Sequence, residues 1–391
     1  TAVGYSALTE NTTGTANVAV GAVALDANTT GDSNTALGRN SLTANTTGTQ
    51  NVGAGYGTLA ANTTANNNTA LGYNALSTAT TGGNNTALGT YALDALTTGN
   101  TNVAVGEHAM GGNTVGDRNV AVGYESLKVF NPASNADTYN TVVGYQSGSL
   151  TTTGTSNTGM GARTLLSNTT GANNTAVGRD ALLNNTSASN NTAVGYDALK
   201  TNTTGANNVA IGKDALINNT TASNNIAVGI AALYTNTTGD KNVGVGYQAL
   251  EKNTTGVNNV AMGDRALEEN TTAGNNTAIG NLALTANTTG TQNVAVGSAA
   301  LDANTTGAYN TALGYTALGS NTTANNNTAL GYAAMNANTT GADSVAVGFG
   351  ALDAQTTGGN NVAIGKDSMT SQTTGEFNVA VGRASLASST T

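Results

Sequence analysis

A glycine returns every 17 residues along almost the whole chain, and nothing else in the sequence constrains the fold as strongly. It closes a short apolar run, as in Ala19-Val20-Gly21, Ala36-Leu37-Gly38, Ala70-Leu71-Gly72 and Ala380-Val381-Gly382. There are 23 such glycines, and 21 of their 22 spacings are 17; the exception, Gly123 to Gly144, is 21. A strict period of this kind requires each unit to stack on the next in the same way, so the chain grows by addition instead of dividing into unlike domains.

With the glycine as position 0, one full copy reads Asn191-Thr192-Ala193-Val194-Gly195-Tyr196-Asp197-Ala198-Leu199-Lys200-Thr201-Asn202-Thr203-Thr204-Gly205-Ala206-Asn207. Position +4 is Leu or Met in 22 of 23 copies, broken only by Gly148. Position +3 is always Ala, Ser or Thr; position −2 is Ala or Gly except at Val142; position −4 is Asn except at Ser344. Outside one irregular segment, charges occur only at +1, +2, +5, +6, +11 and +12. That division into columns that never carry charge and columns that vary is the mark of burial. It also excludes a disordered spacer, which needs a composition but no columns.

A helix does not fit, because 17 residues are about 4.7 helical turns and successive copies would face different ways. Thr/Val-Ala-Val/Leu stopped by Gly predicts a short strand, and positions +1 to +5 predict a second. Asn-Thr-Thr-Gly predicts a turn in which the Gly at +10 supplies a positive φ. Five copies carry Ala there instead (Ala65, Ala188, Ala222, Ala273 and Ala324). The expected fold is therefore all-β: a parallel β-solenoid of about 23 coils, one continuous repeat domain over 1–127 and 140–391 with an irregular loop at 128–139. Coils about 4.8 Å apart would make a rod on the order of 110 Å long. Stacking turns the columns into structure: a Leu spine through Leu199, Leu216 and Leu233, a bend at Gly195 and Gly212, and an amide ladder through Asn17, Asn34, Asn51, Asn191 and Asn208.

A coil this short encloses little volume. One Leu and one Val-sized side chain, at roughly 1.5–3 kcal/mol each, oppose backbone ordering of roughly 1–2 kcal/mol per residue. The strand carries uncharged side chains on both faces, as a strand does when one face fills the coil and the other meets a partner. Association is thus expected, most simply as three chains around an axis.

Segments such as Asn17-Val18-Ala19-Val20-Gly21, Asn208-Val209-Ala210-Ile211-Gly212 and Asn361-Val362-Ala363-Ile364-Gly365 resemble the YadA-like head repeat of trimeric autotransporter adhesins, and similar units occur in the repeat shafts of bacteriophage tail fibres. The resemblance covers essentially the whole chain. It implies a left-handed parallel β-roll, trimeric, on the outside of a cell or on a virion, acting in adhesion and without catalytic residues. The family's coil is shorter; here the Asn-Thr-Thr-Gly turn lengthens it.

Charged residues are only 8% and the net charge is −9, the opposite of a nucleic-acid binder's basic footprint. There is no Cys, and no apolar run long enough to span a bilayer within this segment. The chain opens and closes inside a repeat, so any targeting sequence, anchor or cap is expected outside it or not at all. The lone His108 lacks a second His and reads as a surface residue. Asp180, Asp197 and Asp214 fall at +2 in successive copies, but basic neighbours such as Arg163, Arg179 and Lys213 favour cross-coil ion pairs over calcium. Tyr fills +1 in nine copies; Tyr56 with Tyr73, and Tyr315 with Tyr332, are adjacent and expected to stack, either covering the glycine bend or forming a contact stripe. The Asn-Thr-Thr turns match the N-glycosylation pattern at Asn11, Asn28, Asn202 and Asn304, which turn chemistry alone would produce. Adjacent threonines ending in Gly diverge in direction, against an ice-binding face. The irregular segment holds the only Pro, and with Phe130 and Pro132 it reads either as a tolerated loop bulging from one coil or as a binding protrusion or register marker.

The function expected is a structural or adhesive extracellular fibre, with no enzyme activity, cofactor or metal. The partners expected are further copies of itself, as homotrimer or filament, and a host matrix protein or surface glycan. The alternatives are a tail-fibre shaft and a subunit of a self-assembling filament.

Overall fold

Every copy of the repeat yields one three-residue strand, except the first, which yields two residues. Thr and Val favour the pleated conformation at −3 and −1, the Ala at −2 turns inward, and Gly ends the run. The computed structural model describes residues 1–389; Thr390 and Thr391, the end of the expected span 140–391, lie outside the described residues. The chain forms two compact units, Thr1–Val194 and a second that begins at Gly195. The first holds twelve strands, from β1 (Ala2–Val3) and β2 (Val18–Val20) to β12 (Thr192–Val194). The second holds eleven, from β13 (Val209–Ile211) to β23 (Val379–Val381). Each unit is a parallel β-solenoid with a 17-residue period, every strand in register with the equivalent residues of the next coil: Val18 opposite Thr35, Ala19 opposite Ala36, Val20 opposite Leu37. The register survives the 21-residue spacing, where Ala121 still faces Val142.

Positions +1 to +6 are not a second strand. They form a continuous turn in which +2 and +4 both lie in the left-handed region, for example Asn40 at φ 58° and Leu42 at φ 53°. A third left-handed residue follows at +12, such as Gln50 at φ 57°. Turning the chain this way keeps its amides aimed at the neighbouring coils. Leu42, Ala44 and Thr46 donate to carbonyls of the coil above, while Gly38, Asn40 and Gln50 donate to the coil below. The ladder thus runs around most of the coil, although only three residues have strand geometry.

The glycines at 0 are required by conformation. Gly195 and Gly212 sit at φ +139° and +134°, and a Cβ on Gly195 would lie 2.4 Å from the carbonyl oxygen of Gly212. The glycines at +10 are not in the left-handed region, contrary to the turn expected from sequence. They permit close approach: a Cβ on Gly239 would lie 2.3 Å from the Gly256 oxygen and 2.7 Å from Asn236 Oδ1. Since no positive φ is needed, Ala65, Ala188, Ala222, Ala273 and Ala324 occupy the same column.

The Leu spine is buried as expected, with Leu199, Leu216 and Leu233 fully covered together with the Ala columns at −2 and +3. The Asn at −4 works differently from a simple amide ladder. Asn17 Oδ1 accepts the backbone N–H of Asn34, and its Nδ2 donates to the carbonyl of Gly31. The same pair of bonds recurs at Asn34 and Asn51, so this column chiefly braces backbone. Side chains of this column also bond one another, Asn51 Nδ2 donating to Asn34 Oδ1 at 3.2 Å, but the closer side-chain ladder is the Asn at +7, where Asn28 Nδ2 donates to Asn11 Oδ1 and Asn45 Nδ2 to Asn28 Oδ1, each at 2.8 Å.

Breaks in one column are answered in another. Gly148 removes the Leu at +4, and a Cβ there would lie 3.4 Å from a methyl of Val142, the one large residue at −2. Where −2 shrinks to Gly53 or Gly159, hydroxyl pairs fill the space: Ser41 with Thr58 at 2.9 Å, and Ser147 with Thr164 at 2.6 Å.

Candidate functional site

The outer face of each sheet is the most extensive feature available for recognition. Alternation along the strand sends −2 inward and leaves −3 and −1 outside. Leu71 is 53% exposed and Met160 50%, beside Ala70 at 0%. Neither outward column carries a charged residue in any copy. Isolated exposed aliphatics are ordinary; a row repeated in register along a unit is not.

Beside this face run the tyrosines at +1. Tyr56 and Tyr73 stack with ring centroids 5.2 Å apart and planes within 9°. In the second unit Tyr315 stacks on Tyr332, which stacks on Phe349 at 5.0 Å. Coil spacing brings equivalent rings into offset stacking, and the rings remain about half exposed.

Charged groups pair within a coil as well as across coils. Arg163 grips Asp180 with two parallel bonds, Nε to Oδ1 at 2.8 Å and Nη2 to Oδ2 at 2.6 Å, and Arg179 closes on the same carboxylate. Asp197 is held by Lys200, and Asp214 lies near Lys213. Lys128 holds Glu125 at 2.6 Å; that bond keeps the Glu125 carboxyl below its ordinary pKa and raises the Lys128 ammonium. Among the described residues no three His, Cys, Asp or Glu side chains gather as a metal-binding group, and no helix is long and apolar enough to cross a membrane.

Three of the four asparagines named for the glycosylation pattern face inward, and Asn11 is partly buried. Asn28, Asn202 and Asn304 are fully buried, and each spends Nδ2 on a carbonyl three residues on. The threonines split as their direction implies. Thr29 at +8 is partly buried and donates its hydroxyl to Thr46 in the next coil, whereas Thr30 at +9 is exposed.

Phe130 is not on a contact surface. It is fully buried at +7, where most coils carry the ladder Asn and others already do without it, as at Ala79 and Leu96. Lys128 to Asn131 still follow the coil, Val129 N–H donating to Ser149 and Asn131 N–H to Thr152. The departure is therefore narrower than 128–139: it begins at the partly buried Pro132 and ends where Asp137 bridges Asp117. Arg118 reaches over to pair with Asp137.

Sequence reasoning overlooked an open cleft in the first unit. It lies over Gly111 and Gly112, between Asp94 on one side and Lys128 and Val129 on the other. The signal was present: this is the one copy with glycine at both +5 and +6. His108 lines the cleft, partly buried and stacked on Tyr91 at 5.2 Å, and so is more than a stray surface residue. No protein-family model matches the chain, and no curated protein matches it.

Proposed function

We propose that this chain is a structural and adhesive extracellular fibre, assembled as a homotrimer through the outer face of its sheets and without catalytic activity. One observation carries the reading: the uncharged −3 and −1 side chains stand partly exposed in continuous register along each unit. Burying such a row releases about 25 cal/mol per Å² of apolar surface, repeated at every coil. Thin coils need that contribution, since each supplies only one Leu and a few small residues to its own interior. The likeness of Asn17-Val18-Ala19-Val20-Gly21 and its equivalents to adhesin head repeats supports the same arrangement. The handedness implied is left-handed, and the location a cell surface or virion.

Light scattering on the purified chain tests this directly. The expected mass is three times that of one chain. Leu313→Lys with Leu330→Lys, both on the outer face, should shift it towards the monomer while leaving the β-sheet circular dichroism in place. A folded unsubstituted chain that stays monomeric at micromolar concentration would refute the trimer.

A further inference from the structure

The cleft over Gly111 and Gly112 has an open volume of about 410 Å³, inside the ~300–1,000 Å³ range of small-molecule sites. It exists because two side chains are missing from one coil while both neighbouring coils keep theirs. It is also fixed in shape. Gly112 N–H donates to the Lys128 carbonyl at 2.7 Å, and a Cβ on Gly112 would lie 2.9 Å from that oxygen. A Cβ on Gly111 would lie 3.1 Å from Asp94 Oδ1, so glycine leaves that carboxylate uncovered from above.

We propose that this cleft binds one hexopyranose unit of a neutral glycan. A pyranose offers a C–H face that packs on an aromatic ring and a rim of hydroxyls that both donate and accept. The cleft supplies a partner for each. Its ring is His108, lying within 8° of the Tyr91 plane; Tyr91 in turn meets Tyr73 edge-on at 5.4 Å, so the platform is set before any ligand arrives. Its acceptor is the Asp94 carboxylate. Its donors are Lys128 Nζ and the Asn131 amide, whose Oδ1 is already committed to the Thr114 hydroxyl at 2.6 Å. Val129 gives an apolar lip. Charge selects a neutral ligand: Lys128 is balanced by Glu125, so no free cation awaits a carboxylate or phosphate. Partial burial raises the Asp94 pKa, against the opposing effects of its own backbone hydrogen bond and of the nearby His108.

The assignment does not rest on the fibre reading: a monomer that bound sugar would overturn the trimer and leave the cleft intact. Saturation-transfer NMR on the full chain, with glucose, galactose, mannose, N-acetylglucosamine and N-acetylgalactosamine as separate probes, tests it. Transfer to the ring C–H protons of at least one probe is expected. It should be lost in Asp94→Asn and in His108→Ala, and kept in Tyr332→Ala, which alters a ring stack of the second unit. Ala already occupies the His108 column in a left-handed conformation at Ala231, so the variant is expected to fold, which circular dichroism would check. No transfer to any of the five sugars, or transfer that survives either cleft substitution, overturns the proposal.

Discussion

Leu233 sits at φ 53° and is fully buried, and its equivalents repeat both properties along each unit. The left-handed conformation costs a non-glycine residue roughly 1–2 kcal/mol, and burying a Leu returns roughly 1.5–3 kcal/mol. The margin per coil is thin, which is why inter-coil hydrogen bonds matter so much. The sequence made the burial legible, because the column never varies from Leu or Met except at Gly148. It did not make the backbone legible, because Leu has no preference for that region and nothing local announces it. The glycines are legible only in part. Those at 0 read from sequence as a strand stop and bend, without the positive φ they adopt, while those at +10 suggest a positive φ and are instead steric; the alanines at Ala65 and Ala188 are the available warning. Gly229→Ala, at φ +137° with a Cβ 2.2 Å from the Gly246 oxygen, should therefore cost about 3 kcal/mol or more. Gly239→Ala needs no positive φ, in a column where Ala65 and Ala188 already sit, and should cost less than Gly229→Ala. Urea unfolding of the two variants side by side checks the ordering, and equal midpoints would contradict it.

At the scale of the coil, two asparagine columns share the polar interior unequally. Asn242 Oδ1 accepts the Asn259 backbone N–H and its Nδ2 donates to the Gly256 carbonyl. Asn253 at +7 donates to that same carbonyl and to Asn236 Oδ1. Asn242→Ala leaves a buried backbone N–H without an acceptor and should cost about 2–3 kcal/mol. Asn253→Ala leaves the Gly256 carbonyl still bonded and should cost about 1 kcal/mol. The chain already tolerates the second kind of break: Asn62 Oδ1 has no partner where the next coil substitutes Ala79. Thermal unfolding of both variants would separate the columns. The sequence showed that both held Asn but could not rank them, since hydrogen-bond partners are set by the turn between them. The cleft was hidden for a related reason, because it consists of side chains that are absent.

Titration belongs to this scale too. Burial raises the carboxyl pKa of Asp302 above its ordinary value, against its own backbone hydrogen bonds. Between the ordinary carboxylate value and the raised one, the folded chain holds a proton that the unfolded chain has released. Stability contributed by this group is therefore lost as pH rises through that window and is flat on either side. Asp302→Asn should flatten the unfolding midpoint against pH there; an unchanged profile would contradict the assignment.

For the molecule as a whole, the hydrogen bonds between coils mostly span 16 to 18 residues and recur every 17, so the count of coils within a unit is free while the length of each is not. Deleting residues 230–246 joins Gly229 to Tyr247 and restores each column. That variant should keep its β-sheet circular dichroism and melt within a few degrees of the parent. Deleting 230–238 shifts the columns out of register and should lower the transition sharply. The one tolerated irregularity obeys the same rule, since its extra residues are pushed outward at Pro132 and the strands on either side stay aligned.

The inter-coil ladder also decides how a unit responds to tension. A coil whose outer neighbour has been pulled away is held by the remaining one alone, so a pull along the stack peels it away before loading the next. Each event frees 17 residues, roughly 55–60 Å of extended chain at about 3.3–3.6 Å per residue. Such a molecule lengthens in equal steps at nearly constant force, a ratchet that dissipates a jolt without breaking its attachment.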